Sequence, residues 1–273
     1  MTANLTGVDG RDIIRRSIEE SGGSLDVLQV SPGVLGDYIE VASEERDKIE
    51  RMRVLVHEES LKEVMRDFLI SSAASDLIKE GVLEILSTDD TVERSVAILD
   101  DTETISFIET DDSIGTVAAE NDELAESVSN LFDSMWEDGD EFKIRTPPMS
   151  DVSQSLSDEI GDETEDDFRR VLDLLDAAKG DGEGLDEITV ALLVAAKNKI
   201  LLYDISKWGE DSGVASKATF SRKKTELEDA GLIDTEKEPI DIGRPRLRLR
   251  LGDEDLQDAD IDGIVEEAKK KLS

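Results

Sequence analysis

Apolar and polar residues alternate along this chain in two rhythms, one of period 3.6 and one of period 2. Ile13, Ile14 and Ile18 share one side of a helix predicted over Arg11–Glu20, which Gly22-Gly23 ends. Leu25–Val30 predicts a strand stopped by Pro32-Gly33, and Val34–Ile49 returns to helical spacing. Arg53–Val56 predicts a second short strand. Leu61, Val64, Met65, Phe68 and Leu69 repeat at helical spacing, so Glu58–Lys79 reads as one long helix, with a break expected near Ser71-Ser72 and a stop at Gly81. Val82–Leu86, Ser95–Leu99, Thr104–Ile108 and Ile114–Ala118 predict four strands. The pairs Asp89-Asp90, Asp100-Asp101 and Asp111-Asp112 suit solvated turns between them. Leu124–Trp136 closes the block as a helix with Leu124, Val128, Leu131, Phe132 and Met135 on its buried stripe. Strand, helix, four strands and helix make an α/β unit with its own core, expected to span residues 1–148 as an effector or dimerisation domain.

After Pro147-Pro148 the pattern weakens. Asp151–Asp167 has no Lys or Arg and no strong apolar period beyond Val152, Leu156 and Ile160, so 149–167 reads as an acidic linker, either a plain connector or loosely helical. Phe168, Val171, Leu172, Leu174 and Leu175 restart a helix, punctuated by Gly180, Gly182 and Gly184. Leu185–Lys199 and Leu201–Trp208 are two further helices. In residues 253–273, Ile261, Ile264, Val265, Ala268 and Leu272 form a stripe on a terminal helix. That stripe packs on its own domain or on a second copy. The second option is favoured here, as a symmetric contact between two copies.

The stretch between carries the chemistry. Ser216 suits the N-cap of a helix, Phe220 and Leu227 share its inner face, and Gly231 suits its left-handed stop. The opposite face presents Ala218, Arg222 and Thr225, flanked by Thr219 and Ser221, with Lys217 in the first turn. Small or hydrogen-bonding side chains with one arginine fit a helix lying against base edges. Lys224 stands where such helices often carry an apolar residue; its stem is expected to cover Phe220 while its ammonium reaches solvent or phosphate. Ile233–Lys237 predicts a strand, Glu238–Pro245 a turn, and Arg246–Leu251 a half-buried strand that alternates Arg246, Arg248 and Arg250 with Leu247, Leu249 and Leu251. Helix, strand, basic turn and strand is the order of a winged helix-turn-helix, expected over 168–252. Arg244, Arg246 and Arg248 are placed at or near the wing tip, for phosphates or a minor groove. The expected fold class is thus α+β or α/β, with the α/β domain first and the winged domain second.

Charge sharpens this picture. The formal net charge is −37, with 36% of residues charged and 38% hydrophobic. The kept apolar periodicity argues against disorder, and the carboxylates are spread along the chain, so the composition reads as that of a folded protein adapted to high salt. From Lys197 to Arg250 there are 12 Lys or Arg against 10 Asp or Glu, a net of +2 that leaves −39 on the remainder. The loss of acidic bias there is the footprint expected of a phosphate-facing surface. The chain has no cysteine, hence no disulfide and no thiolate metal site, and no cofactor or metal is expected. No apolar run nears the roughly 20 residues that span a bilayer, and no signal-peptide pattern opens the chain, so no membrane partner and a cytoplasmic location are expected. Gly180–Gly184 lacks the following Lys-Ser or Lys-Thr of a phosphate loop. Trp136 and Trp208 read as packing anchors.

On Ala218–Ile233 and Gly243–Arg248 in particular, the chain resembles the TbsP-type transcriptional regulators of halophilic archaea, related in plan to the TrmB sugar-responsive regulators. The resemblance implies promoter binding and control of central carbon metabolism near glycolysis and gluconeogenesis. In the TrmB plan the DNA-binding domain comes first, whereas here it comes second, so no ligand-binding residue is carried over. Val54–Trp136 also resembles the phospholipase-D-like half of TrmB-type effector domains. The catalytic version needs His-x-Lys with a later Asp. Here His57 is followed by Glu58 and Glu59, so no enzyme is expected. The leading expectation is a dimeric transcription factor that binds double-stranded promoter DNA and senses a small metabolite. The alternatives are a protein-interaction adaptor built on a winged domain, and a hydrolase disfavoured by the missing lysine.

Overall fold

The computed structural model describes residues 10–90, 95–99, 102–110, 113–177, 185–239, 245–252, 254–257 and 259–272. The chain divides into two compact units, Met1–Pro148 and Met149–Ser273. The turns at Asp100-Asp101 and Asp111-Asp112, the glycines 180, 182 and 184, and Arg244 lie outside the described residues.

The first unit is built on a seven-stranded sheet of order β6-β5-β4-β1-β2-β3-β7. Helix α1 (Gly10–Glu20) leads into β1 (Ser24–Leu28), α2 (Pro32–Glu44) and β2 (Arg51–Val56). Helices α3 (Glu58–Val64) and α4 (Phe68–Lys79) return the chain to β3 (Leu83–Ser87). Strands β1, β2 and β3 pair in parallel. Strands β4 (Val96–Leu99), β5 (Glu103–Thr110) and β6 (Ser113–Glu120) then form an antiparallel meander on the far side of β1. Helix α5 (Asp122–Glu137) and the short antiparallel β7 (Asp140–Glu141) complete the unit.

The two faces of the sheet are covered unequally. Leu25, Val27, Met52, Val54, Ile105 and Phe107 join the main core, which also takes in Ile14 and Ile18 of α1, Leu35 and Tyr38 of α2 and Leu77 of α4. On the other face Leu28, Leu55 and Ile98 pack against Phe132 and Met135 of α5, with Val128 and Trp136 beside them. Arg53 interrupts the apolar run of β2 between Met52 and Val56. Its Nε donates to buried Asp26 at 2.7 Å, and its guanidinium lies 4.7 Å from the centroid of Phe132, which stacks on Trp136.

Several expectations are corrected in this unit. The first strand ends at Leu28 because Gln29 takes a left-handed φ of 52°. The single helix over Glu58–Lys79 is two helices, and the break lies at Met65–Asp67 rather than at the serines. Asp67 caps α4 by accepting from Leu69 N at 2.8 Å and Ile70 N at 3.1 Å. Ser71 and Ser72 are buried inside α4 and donate to Thr146 Oγ1 and the Pro147 carbonyl. On α5 the buried residues are Ala125, Phe132 and Met135, while Leu124 and Leu131 of the expected stripe are exposed.

The second unit is helical with one hairpin. Residues 149–167 are not a linker. They form α6 (Met149–Glu159) and the start of α7 (Asp162–Ala177), where Val152, Leu156 and Thr164 are buried. The physical reason is visible at Ser155, whose Oγ accepts from Nε1 of fully buried Trp208 at 3.0 Å, and at Phe168, whose ring meets Trp208 edge-on. Trp208 needs both an apolar bed and a polar partner. Helix α8 (Glu187–Lys197) is buried all round from Ile188 to Ala196. Helices α9 (Leu202–Asp211) and α10 (Lys217–Asp229), strands β8 (Ile233–Glu238) and β9 (Arg246–Leu251), and helices α11 (Glu254–Gln257) and α12 (Ile261–Leu272) follow. Strands β8 and β9 are antiparallel, and Leu201 bridges to Arg248 beside them. The apolar stripe of α12 is used at home: Ile261, Ile264, Val265 and Ala268 are buried, α12 packs on α7, and Arg170 pairs with Asp262. The expected dimer contact through this stripe is therefore corrected.

Candidate nucleic-acid interface

Helix α9, a tight turn and α10 form a helix-turn-helix. Gly213 takes φ +83° in the turn, and Ala215 N donates back to the Gly209 carbonyl at 3.0 Å. Ser216 caps α10 by accepting from Thr219 N at 3.2 Å. Phe220 and Leu227 are fully buried on the inner face. At the far end Gly231, at φ +68°, allows Leu232 N to reach the Leu227 carbonyl and Gly231 N to reach the Glu228 carbonyl, a paired stop that turns the chain into β8. Gly252 lies against this stop, where a Cβ would collide with the Gly231 carbonyl.

The outer face of α10 gathers Ala218, Ser221, Arg222 and Thr225, all exposed. From Lys217 to Thr225 the helix carries no carboxylate. The Arg222 side chain is 72% exposed, and Glu226 is only at the 4.0 Å limit from its Nε. Thr225 Oγ1 donates to the Ser221 carbonyl at 3.1 Å, back along its own helix. At the helix start, exposed Ser216 shares a 2.9 Å hydrogen bond with half-buried Thr219, and Lys217 pairs with Glu210 of α9.

Two of the carboxylates at the far end, Glu226 and Glu228, are held by neighbours. Glu226 accepts Lys223 at 3.0 Å, and Lys223 also reaches Asp186 at 2.9 Å. Lys224 is corrected: its side chain is only 13% exposed, and its ammonium pairs with Glu228 at 2.6 Å rather than reaching outward. Asp186 caps α8 by accepting from Thr189 N at 2.7 Å. Burial pushes its carboxyl upward, but the hydrogen bonds from Thr189 and Lys223 outweigh this and hold it below the ordinary aspartate value.

The hairpin treats its arginines differently. Leu249 and Leu251 are buried, as the alternation of β9 requires. On the opposite row Arg248 pairs with Glu238, and Arg250 with Glu236. Arg248 also donates to the Lys199 carbonyl at 2.5 Å, which ties the hairpin to the end of α8. Arg246 instead lies 4.7 Å from the ring centroid of exposed Tyr203 and 3.7 Å from Asp204, at the first turn of α9. Tyr203 had no signal in the sequence, because a lone tyrosine does not disclose which strand will lie over it. In the first unit, His57 sits between β2 and α3 with Nδ1 2.9 Å from the Thr88 carbonyl, and Glu58 and Glu59 open α3, where its dipole favours them.

A family profile for the N-terminal part of TbsP-like transcriptional regulators matches residues 2–147, and one for their C-terminal helix-turn-helix domain matches residues 148–269. No curated protein matches the chain. Among solved structures, TrmBL2, described as an archaeal chromatin protein with a novel mode of DNA binding, is similar at 16% identity and a TM-score of 0.38, over 52% of this chain and 54% of its own. This chain thus spans about half the length of that protein. Nuc from Salmonella typhimurium, a phospholipase D family member, is similar at 15% identity and a TM-score of 0.39, over 52% of this chain and 97% of its own. NucT from Helicobacter pylori is similar at 14% identity and a TM-score of 0.38, over 52% and 98%. No described helix is long and apolar enough to cross a membrane. With both profiles matched end to end, and dividing the chain where the fold divides, this protein belongs to the TbsP-like family of DNA-binding transcriptional regulators.

Proposed function

We propose that this regulator binds double-stranded promoter DNA as a homodimer, with Ala218, Ser221, Arg222 and Thr225 of α10 against base edges in the major groove. Ser216, Lys217 and Thr219 approach phosphates at the start of the helix. Arg244, Arg246 and Arg248 serve the hairpin side, with Arg246 contributing most, because Arg248 is already engaged by Glu238 and the Lys199 carbonyl. The observation that carries this reading is the outer face of α10, free of carboxylates through Thr225 and led by an arginine exposed to 72%. In a chain of net charge −37, such a surface has a purpose that solubility does not supply.

The first unit senses a small metabolite and biases the DNA-bound arrangement. The controlled genes belong to central carbon metabolism, in a halophilic archaeon; the resemblance supports the former and the carboxylate surplus the latter. Gel shift with promoter DNA in molar KCl tests the binding. Mapping bound sites across the genome with and without glucose tests the regulon, and sites that ignore both glucose and sugar-metabolism genes contradict it.

One observation favours a second reading, an adaptor whose winged domain docks a protein: two of the hairpin's arginines are neutralised by its own glutamates. Absence of any DNA shift in molar KCl, with a folded protein, decides for the adaptor.

A further inference from the structure

We propose that two copies of this chain join through the outer edge of β6 and the adjoining flank of α5. The inference rests on the dimeric part of the reading above and on none of its DNA contacts.

Strand β6 ends the sheet, and among the described residues no strand pairs with its outer side. Exposed edges are normally blunted by charge, proline or a bulge. Here Ser113–Ala119 carries no charge and no proline, in a chain where 36% of residues are charged. The register puts Val117 opposite Ser106, on the same face as Ile108, because Ile105 and Phe107 point into the main core on the other side. Both apolar residues therefore lie on the α5 face, and they are 42% and 52% exposed.

Helix α5 extends this strip. At about 100° per residue, Asp122, Glu123, Glu126, Asp133 and Glu137 fall on one half, and Leu124 and Leu131 on the other with Ser127 and Ser134, while Val128 packs on the sheet beneath. Asp133 pairs with Arg53 of β2 at 2.9 Å, so the acidic half turns toward β2. The opposite flank, with Leu124 and Leu131 at 44% and 45% exposure, lies on the side away from Asp133, and α5 packs on β5 and β4.

The occupant that fits is a second copy. Two chains of −37 repel through any face that carries their carboxylates, and meet at lowest cost where both have none. A two-fold axis perpendicular to the sheet pairs β6 with its antiparallel twin near Val117. It also keeps both α5 helices on one face of the joined sheet, with their uncharged flanks turned toward the seam. The stripe of α12, buried at home, offers no rival contact.

The absence of cysteine makes the test direct. In the full-length protein in molar KCl, sedimentation gives a dimer at micromolar concentration. Val117→Cys is joined into a covalent dimer by a short bismaleimide, and Leu272→Cys on the exposed end of α12 is not. Val117→Lys weakens the dimer by at least tenfold with an unchanged far-UV spectrum; if that variant fails to fold, Leu131→Glu on the helix surface gives the same readout. A wild-type monomer overturns both the dimeric reading and the surface. A dimer that the bismaleimide joins in the Leu272→Cys variant but not in the Val117→Cys variant, or that is unmoved by Leu131→Glu, overturns the surface alone.

Discussion

The ring of Phe220 occupies the space that a side chain on Gly209 would need. This pair sets how closely α10 crosses α9, and so how far the outer face of α10 stands from the body of its domain. Gly209→Ala forces ring and helix apart. Such overpacking costs about 1–3 kcal/mol. The expected result is a lower melting temperature in molar KCl, read from the fluorescence of buried Trp208, with weakened DNA binding. A variant as stable as wild type would mean that α9 and α10 are less tightly joined than described.

Asp186 and Lys223 tie the start of α8 to the middle of α10. Asp186→Ala removes both the cap and the ion pair, and loss of a cap costs about 1 kcal/mol. Asp186→Asn keeps a capping oxygen and loses only the charge, so it costs less. The aspartate is held below its ordinary value, so its stabilisation is fully present above the unfolded value of 3.8 and is lost as pH falls through the lower folded value. The stability gap between wild type and Asp186→Asn is therefore expected to be constant near neutrality and to close in acid. Denaturant titrations of both proteins across that range check it, and a gap that widens in acid contradicts it.

Salt should stabilise the whole protein. The net charge of −37 repels itself in dilute buffer, while near 1 M salt the Debye length is about 3 Å. The melting temperature is expected to rise steadily with added KCl. A flat or falling curve contradicts adaptation of this surface to salt.

The hairpin arginines separate into two kinds. Arg250→Ala removes a pairing with Glu236 on the same hairpin, and is expected to change DNA affinity little. Arg246→Ala removes an exposed guanidinium held over Tyr203, and is expected to weaken binding to all sequences alike, as a phosphate contact does. Titration of specific and unrelated duplexes at one salt concentration distinguishes the two. Equal effects from both variants would remove the distinction.

How far the sequence disclosed all this depended on the kind of interaction. Strands β1 to β6 of the first unit, the buried all-apolar α8, and the order α9, turn, α10, β8, β9 follow from local period and caps, whereas the two-residue β7 left no pattern; Ser216, Phe220, Leu227 and Gly231 announce α10 almost alone. The helices over 149–167 were hidden because Val152 and Leu156 are too few to stand out among carboxylates; their partner Trp208 lies far along the chain. The break at Asp67 was hidden because an aspartate inside an apolar period is as readily a surface residue as a cap. Alternation in β9 gave the faces of its arginines but not the glutamates waiting across the hairpin. The stripe on α12 told that something covers it, not that α7 does.

The central claim is that the outer face of α10 touches DNA, and Arg222 tests it most directly. A bidentate arginine–guanine contact is worth about 1–3 kcal/mol. Gel shift of the full-length protein on its promoter in molar KCl, with wild type beside Arg222→Ala, is expected to show roughly tenfold or greater weakening and relaxed preference at one base position. Unchanged affinity and unchanged sequence preference in Arg222→Ala would contradict the account.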